Sequence, residues 1–438
     1  MKRLDAFLAR SSMGLVLVVA CLLVWAMLTK VHTHSWQEES RMATIQALVE
    51  QATFVIDHTE FNRTGDKVFV NGHFYSDKTP ILSVAAAGVY SILHNVFGLS
   101  LDPTICVPDQ DPAACRVFGP KGTRFTAFYW LTLIFSGGSS ALLTALFWKA
   151  MIDCGAGGAL ATALAVALGF ASPIAPYSIV FAGHVPAAVS LFAGFLLLTR
   201  DTAVQRNRTY FWAGLLISLS ANIDLTLAVF IVAFALWILL ARRSMSLLFL
   251  VGALVPFAVS GALNYWAAGT IVPLYFDPKA YDFFGTVLNP TVGGTNGFYS
   301  LDFGLRYAYD MLIGRRGLFA FTPMLIYAVM GIGIVVRERS NRLRGLTIAT
   351  VLGCLIFTAY LILRTDNFGG MAWGTRWFVP LIPALWYFSY RAYGAVRGAY
   401  YPSRIWRIVF WGIVLLSFFT AALGLQDAWR DVPPIIRL

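Results

Sequence analysis

Long apolar runs separated by short polar loops repeat along the whole of this chain. Each run approaches the roughly 20 residues that an α-helix needs to cross a bilayer. The runs lie near residues 12–30, 79–98, 125–148, 156–175, 184–200, 210–222, 225–241, 246–264, 317–336, 345–363, 377–391 and 405–425. Because such helices satisfy their own backbone inside lipid, the pattern predicts an all-α polytopic membrane protein, with residues 1–438 forming a single integral membrane domain.

Composition agrees with this pattern. Hydrophobic residues make up 58% of the chain and charged residues 13%, whereas a soluble domain averages about 25% charged residues. The net charge of +11 is explained by the excess of Lys and Arg in the cytoplasmic loops of membrane proteins, so no nucleic-acid partner is expected. The first run follows a basic start and lacks a small-residue cleavage site, which favours an uncleaved first span.

The basic loops decide how the runs are threaded, since lysine and arginine concentrate on the cytoplasmic side. Five clusters are assigned to that side: Lys2/Arg3/Arg10, Arg200/Arg206/Arg208, Arg242/Arg243, Arg337/Arg339/Arg342/Arg344 and Arg391/Arg397/Arg404/Arg407. All five face the cytoplasm only if one run between residues 30 and 184 does not cross.

The run at 79–98 is the one that we expect not to cross. It begins with a proline and carries Ser83, His94 and Asn95, which favours a re-entrant or surface-lying helix on the outer face. About 11 transmembrane helices then remain, with the N-terminus inside. In the alternative, this run crosses and residues 210–241 form one long span, which places the second basic cluster outside, against the charge rule.

Three outer loops follow from this threading. Residues 31–124 contain surface helices and the candidate chemistry, residues 265–316 form a second loop, and residues 364–376 form a short third loop. Cys106 and Cys115 fall in the first loop, where an oxidising compartment would permit a disulfide. The sequence leaves open whether they form one.

The first outer loop places charge at the membrane surface. The segment WQEESRMATIQALVE, residues 36–50, has helical spacing. Its apolar face comprises Met42, Ile45, Leu48 and Val49. Such a helix would lie along the membrane with Glu38 near its N-terminus, where the helix dipole favours a carboxylate. A capping role for Glu38 or Glu39 is therefore the structural alternative to a catalytic role.

The order of short motifs in this loop resembles a known family. Glu38-Glu39-Ser-Arg41 opens the helix, and Gly-His-Phe-Tyr75-Ser-Asp-Lys78-Thr-Pro follows before an apolar run. GT-C fold glycosyltransferases of the aminoarabinose lipid A transferase and protein O-mannosyltransferase superfamily typically carry Asp-Glu-x-Arg-Tyr and then Tyr-x-x-Lys-Pro-Pro. This chain departs from that pattern where Glu38 stands for the aspartate and where Lys-Thr-Pro stands for Lys-Pro-Pro.

Three further segments resemble prokaryotic members of the same superfamily: FASPIAPYSIVFAGH (170–184), GRRGLFAFTPML (314–325) and NFGGMAWGTRWFVPLIP (367–383). His184 stands where the second outer turn of the family carries an acidic or polar residue. The resemblance implies a GT-C type fold with outer-face juxtamembrane helices. It also implies location in the cytoplasmic (inner) membrane of a prokaryote, with the active site facing the outside or periplasm.

The resemblance further implies an inverting glycosyltransferase that uses a polyprenyl-phosphate-linked sugar donor. A hexosyl or pentosyl group would move to a hydroxyl of a lipid, glycan or protein acceptor on the outer face. A carboxylate within reach of that hydroxyl can act as general base, and this role is assigned to Glu38, with Glu39 second. Fixed cations must meet the charge of the leaving phosphate. Donor phosphate-binding residues are expected to be Lys78, Arg376, Arg316 and Arg41.

Substrate-binding roles are expected for Tyr75, His184 and Trp373. Each assignment has a structural alternative, such as a snorkelling Lys78, an interfacial anchor at Arg316, or a hydrogen-bonded structural His184. The histidine spacings match no standard zinc site, so no cofactor is expected with certainty. A divalent ion held by Glu38 and His184 stays open.

Two other functions stay open beside the glycosyltransferase. A lipid-linked glycan ligase or polymerase would need a longer outer loop, able to hold two lipid-linked chains. A polytopic lipid or sugar transporter would need paired broken helices and ion sites in mid-membrane. The sequence displays neither feature, and it does not identify the sugar, the acceptor or the oligomeric state.

Overall fold

The computed structural model of the protein describes residues 2–101, 126–200, 207–286, 300–365, 368–398 and 404–430. Cys106 and Cys115, and with them the question of their disulfide, lie outside these residues. Among the described residues, five helices are long and apolar enough to cross a membrane: Pro80–Phe97, Ala127–Asp153, Arg243–Ala268, Arg344–Arg364 and Ile405–Gly424. Shorter apolar helices accompany them. The predicted helical, membrane-embedded character is confirmed at this level.

Most of the described chain is helical, and the helices are numbered in chain order. They are α1 Lys2–Leu28, α2 Trp36–Glu50, α3 Pro80–Phe97, α4 Ala127–Thr132, α5 Gly138–Asp153, α6 Gly158–Phe170, α7 Ile174–Ser178, α8 His184–Thr199, α9 Arg208–Ile223, α10 Ala228–Ala241, α11 Arg243–Ala268, α12 Leu301–Leu312, α13 Leu318–Phe321, α14 Leu325–Arg337, α15 Arg344–Arg364, α16 Ile382–Trp386, α17 Ser389–Gly398 and α18 Arg404–Gly424. A π-helical turn, Leu133–Gly137, joins α4 to α5.

A β-hairpin in the first outer loop was not predicted. Its strands are β1 Lys67–Val70 and β2 His73–Ser76, and they pair antiparallel. The connecting residues Asn71 and Gly72 have φ values of 52° and 86°. Positive φ at both central positions is the requirement of a type I′ hairpin turn, which Asn-Gly meets at low cost.

The hairpin is fastened on both sides. The carboxylate of Asp57 accepts the backbone N–H of Phe74 at 2.7 Å and lies 2.8 Å from Nδ1 of His73, which holds the hairpin against the preceding loop. At the other end, the hydroxyl groups of Ser40 and Ser76 lie 2.6 Å apart, which holds β2 against α2.

Helix α2 is largely enclosed by protein, which the sequence did not predict. Ser35 caps the helix, since its Oγ accepts the backbone N–H of Glu38. Buried polar residues occupy most of its length: Gln37, Glu38, Glu39, Ser40, Arg41, Thr44 and Gln46. The hairpin contacts one side of α2, and the turn before α8 contacts another side of this helix. The polar side chains of α2 therefore face the protein interior.

The loops that flank α2 meet others at one end of the helical bundle, which we call the site end. It comprises residues 29–35, 76–79, 171–183, 223–227, 313–317, 368–376 and 425–429. Hydrogen bonds join these segments: Lys30 N to Ile179 O at 2.9 Å, Thr79 Oγ1 to Ile223 O at 3.4 Å, Thr375 N to Arg316 O at 3.1 Å and Trp373 N to Ala428 O at 2.9 Å. Every one of these segments belongs to a loop that the charge pattern assigns to the outer side.

The start of α3 lies at the site end and its other end lies beside it, although the length and hydropathy of α3 would suit a span. Its start contacts the turn after α9 through Thr79. Beyond its end, Ser100 accepts the backbone N–H of Ala127 at 3.0 Å, and the hydroxyl of Tyr129 donates to the carbonyl of Ala26 at 2.7 Å. Ala26 lies in the last turn of α1, which leads directly into the site end.

Candidate active site

Glu38 has no free carboxylate oxygen to offer a substrate. Its Oε1 accepts the backbone N–H of Phe181 at 2.9 Å, and its Oε2 accepts the backbone N–H of His34 at 2.8 Å and faces Ser35 Oγ at 3.3 Å. The side chain is fully buried, and burial raises its pKa to about 8. Together with the Ser35 cap, this is a variant of the capping box. The capping alternative therefore describes the observed contacts of Glu38.

Glu39 lies beside it in a different setting. Its side chain is 7% exposed, and its carboxylate makes no hydrogen bond or ion pair with any residue that the structure describes. Burial, and then the charge of Asp66, raise the pKa of Glu39 to about 7. A carboxylate with this pKa exchanges its proton near neutral pH, as general base catalysis requires.

Lys78 is held by two aspartates at the mouth of the hairpin. Its Nζ lies 2.7 Å from Oδ2 of Asp66 and 3.0 Å from Oδ1 of Asp77. Burial opposes its charge, but the two carboxylates raise the pKa of Lys78 above its ordinary value. The ammonium group is therefore charged and already neutralised, which leaves little attraction for a phosphate.

Arg41 is a buried cation, and one of its N–H donors has no hydrogen-bond partner among the described residues. One Nη donates to the carbonyl of Thr79 at 3.4 Å, while Nε is buried and has no hydrogen-bond partner in the described part of the chain. Burial lowers the pKa of Arg41 to about 10, and the nearby charges of Asp77 and Asp224 oppose this shift. The guanidinium group stays protonated at neutral pH.

Arg376 lies within electrostatic range of Arg41. One Nη donates to Oε1 of Gln37, and the guanidinium group lies over the ring of Trp429 at 5.2 Å. Its Nε is likewise buried without a partner among the described residues. A Cβ at Gly369 would collide with this Nε. Glycine at 369 therefore lets the loop backbone approach Arg376.

Arg316 and Trp373 support the same loop. Arg316 donates to the carbonyl of Gly370 at 2.6 Å and lies over the ring of Phe368 at 5.1 Å, so it is placed at the rim of the site. Trp373 is 2% exposed and packs edge-on against Phe321 at 5.1 Å. Its ring is enclosed by protein, so the structure does not present it for stacking on a sugar.

His184 pairs with an acid that the sequence had not singled out. Its Nδ1 lies 3.2 Å from Oδ2 of Asp224, and its Nε2 is buried without a partner among the described residues. Burial opposes ionisation of Asp224, but hydrogen bonds with His184 and Thr226 lower its pKa below its usual value. Asp224 is therefore an ionised carboxylate that fixes the orientation of the histidine ring.

Tyr75 and Lys78 line a narrow cleft. The cleft is also bounded by Asp77 and Thr79 after β2, by Asn264 near the end of α11, and by Leu274 in the segment that follows α11. Tyr75 is 7% exposed and belongs to a small apolar cluster in this region. Tyr75 therefore borders an open space next to charged groups.

The residues considered for a divalent ion do not converge. Within the described residues, no group of three or more His, Cys, Asp or Glu side chains is arranged to hold a metal. Both oxygens of Glu38 accept backbone hydrogen bonds, and Nδ1 of His184 faces Asp224. The structure therefore offers no shared open face between Glu38 and His184.

The structure thus gathers Glu38, Glu39, Arg41, His184 and Arg376 at one end of the bundle, with the remaining predicted residues at its edges. Asp224, Gln37 and Trp429 were missed. Asp224 had one signal, its position as a lone acid between two apolar runs, at a turn that the charge pattern places outside.

Comparison with known proteins gives no relative: no family model matches the chain, and neither the curated proteins nor the solved structures contain a match.

Proposed function

We propose that the protein is an inverting glycosyltransferase that moves a sugar from a polyprenyl-phosphate carrier to an acceptor hydroxyl, with Glu39 as general base and Arg41 and Arg376 as phosphate ligands. The observation that carries this proposal is the presence of unsatisfied groups of opposite charge at one end of the bundle. Among the described residues, the Glu39 carboxylate makes no hydrogen bond or ion pair, and Nε of Arg41 and Nε of Arg376 are buried without partners. The short motifs described above supply the family resemblance.

The choice of Glu39 over Glu38 follows from their contacts. Glu38 accepts three hydrogen bonds from its own protein, and moving it would uncap α2. Glu39 accepts no such hydrogen bonds from the described residues and does not cap α2. Its pKa of about 7 allows it to take a proton from a hydroxyl. General base catalysis of this kind contributes about 10²–10⁴ to a rate.

The choice of phosphate ligands follows from charge. Buried polar atoms without partners are costly, by about 1–3 kcal/mol each, so orphan donors on two neighbouring arginines favour an anionic ligand. Arginine also matches the geometry of phosphate oxygens. Lys78 is the first choice from the sequence, but its charge is neutralised by ion pairs with Asp66 and Asp77. Its proposed role is therefore to hold the hairpin in place. Arg316 at the rim is a secondary contact.

The reaction balances with these groups. The acceptor oxygen attacks the anomeric carbon from the face opposite the phosphate, so a new carbon–oxygen bond forms as the carbon–oxygen bond to phosphate breaks. The acceptor proton passes to Glu39, and the bonding electron pair leaves with the polyprenyl phosphate. The configuration at the anomeric carbon is inverted.

The contacts of α3 support the predicted threading with about 11 spans, because a helix with both ends at one end of the bundle does not change sides. The site end contains described residues from every loop assigned to the outer side. We therefore propose that the site lies at the outer or periplasmic face of a prokaryotic cytoplasmic membrane, with the N-terminus inside.

The test uses the full chain in lipid nanodiscs with polyprenyl-phosphate-linked sugars extracted from a bacterial membrane and radiolabelled. The proposal expects transfer to an acceptor and release of polyprenyl monophosphate. Release of polyprenyl diphosphate with a whole glycan transferred would support a ligase instead. Movement of the donor across a proteoliposome membrane without a new glycosidic bond would support a transporter. Wild-type protein that neither binds polyprenyl phosphate nor transfers sugar would refute the proposal.

A further inference from the structure

A histidine–aspartate pair lies beside the proposed phosphate ligands and has no role in the reaction as written above. Nδ1 of His184 lies 3.2 Å from Oδ2 of Asp224, and the side chains are 6% and 12% exposed. The other oxygen of Asp224 accepts the hydroxyl hydrogen of Thr226 at 2.7 Å. Both carboxylate oxygens are therefore fixed, and Asp224 holds a proton on Nδ1 of His184.

The opposite ring nitrogen has no such partner. Nε2 of His184 is buried and makes no hydrogen bond to a described residue, and the same holds for Nε of Arg41 and Nε of Arg376. All three side chains lie within electrostatic range of one another. Because buried polar atoms are almost always satisfied, the two orphan arginine Nε–H donors indicate a ligand that presents acceptor oxygens. Nε2 of His184 can donate to the same ligand once the ring is protonated.

Burial of the His184 ring disfavours its protonation. Of the charged groups around it in the described part of the chain, Asp224 favours the protonated ring, whereas Arg376 and Arg41 oppose it. The ring of Tyr177 packs edge-on against the ring of His184, with the two ring centroids 5.5 Å apart. An anion bound by the two arginines would cancel their opposition, so protonation of His184 is tied to occupation of the site.

We propose that His184, oriented by Asp224, donates a hydrogen bond to the leaving phosphate and meets the second negative charge that this group gains during transfer. The inference rests on the proposed glycosyltransferase function. In the donor, the phosphate is a diester with one negative charge. When its bond to the sugar breaks, the electron pair remains on the phosphate oxygen and creates a monoester with a second charge.

His184 forms no covalent bond in this step. The acceptor proton goes to Glu39, and the imidazolium Nε2–H points its hydrogen at the new phosphate oxygen. Asp224 stabilises the imidazolium and keeps the ring in place, which is the part that an aspartate plays toward histidine in catalytic triads. A hydrogen bond that strengthens as negative charge develops on the phosphate stabilises the transition state more than the bound substrate. It therefore lowers the activation barrier.

The experiment compares two probes with the full chain in nanodiscs. One is polyprenyl monophosphate, which carries up to two negative charges, and the other is its methyl diester, which carries one. His184→Phe should weaken binding of the monophosphate by about tenfold or more, the scale of a hydrogen bond to a charged group. Binding of the diester should change by less than about threefold on the same argument.

Two conservative variants keep the test decisive if His184→Phe does not fold. His184→Gln retains an N–H donor and should recover part of the monophosphate affinity. Asp224→Asn should reproduce the selective loss in a folded protein, since it removes the charge that supports the imidazolium. His73→Phe serves as the matched control, because it removes a histidine that lies 2.8 Å from an aspartate, Asp57, in the hairpin rather than among the proposed phosphate ligands, and it should spare the selectivity.

The outcomes separate the two proposals. If the His184 and Asp224 variants weaken both probes equally, or neither, the histidine is structural and this inference is wrong while the glycosyltransferase proposal stands. If wild-type protein binds neither probe, the phosphate site itself is wrong and the proposed function falls with it.

Discussion

The backbone N–H of Phe181 donates to Oε1 of Glu38 at 2.9 Å, which ties the start of α2 to a turn 143 residues further along the chain. This contact fixes the first glutamate of the Glu-Glu-x-Arg motif in a structural position. The second glutamate then projects beside it with no partner among the described residues. The two acids of the motif therefore differ in role: Glu38 holds the site together, and Glu39 is the acid that could react.

Exchanging each glutamate for glutamine should separate these roles. Glu39→Gln should lower transfer by about 10²–10⁴ without changing the melting temperature or the binding of polyprenyl phosphate. Glu38→Gln turns an amide N–H₂ toward a backbone N–H, and should cost about 1–3 kcal/mol of stability. The measurements are transfer rates and thermal unfolding of both variants. An inactive but stable Glu38→Gln, beside an active Glu39→Gln, would return the base role to Glu38.

The transfer rate should follow the ionisation of Glu39. Only the ionised form accepts a proton, and its pKa is about 7. The rate should therefore rise about tenfold per pH unit below pH 7 and level off above it. Asp66→Asn removes the negative charge that raises this pKa, so the midpoint should move to lower pH. A rate that does not vary from about pH 5 to 8 would exclude Glu39 as the base.

Arg41 and Arg376 should both be required for binding the lipid phosphate. Replacing either with glutamine removes a charged donor, and affinity for polyprenyl phosphate should fall at least about tenfold. Lysine should not restore it fully, because a point charge lacks the forked geometry of arginine. Arg306→Gln is the control, since Arg306 is 80% exposed and pairs with Asp302 on α12. Equal losses in the control and in the two site variants would indicate nonspecific attraction.

Lys78→Met distinguishes the two roles considered for this lysine. If Lys78 fixes the hairpin, its loss leaves Asp66 and Asp77 as uncompensated charges and should cost about 3–5 kcal/mol, the scale for breaking a buried ion pair. Asp66→Asn combined with Lys78→Met should recover part of that loss. Thermal unfolding and limited proteolysis of the hairpin provide the measurement. A variant of normal stability that fails only in phosphate binding would make Lys78 a ligand after all.

Helix α2 and the hairpin show which features of the structure can be predicted from the sequence. Periodicity predicts α2, and the position of Glu38 near its start predicts capping as one of two alternatives, whereas nothing in the local pattern predicts that its polar residues are buried. The hairpin has a local sequence signal in Asn71-Gly72. The enclosure of α2 depends on that hairpin and on the turn before α8, which are remote in the chain, so local pattern cannot reveal it.

The partners of charged residues were the least predictable feature. Asp77 directly precedes Lys78 in the chain, yet the shorter contact of Lys78 is with Asp66, which reaches it only because the hairpin folds back. Asp224 meets His184 only when two interhelical turns come together. In both cases the sequence identified a residue type suited to the chemistry, and tertiary packing decided which residue was free to perform it.

The position of α3 decides the threading of the whole chain, and cysteine labelling can test it. In a background without the five native cysteines, Asn71→Cys reports the hairpin tip, Ser100→Cys the far end of α3, and Arg339→Cys a basic turn between α14 and α15. A membrane-impermeant maleimide should label the first two in intact spheroplasts and the third only after permeabilisation. If Ser100→Cys behaved like Arg339→Cys, α3 would cross, the basic clusters before and after it would face opposite sides, and the charge rule would fail for this protein.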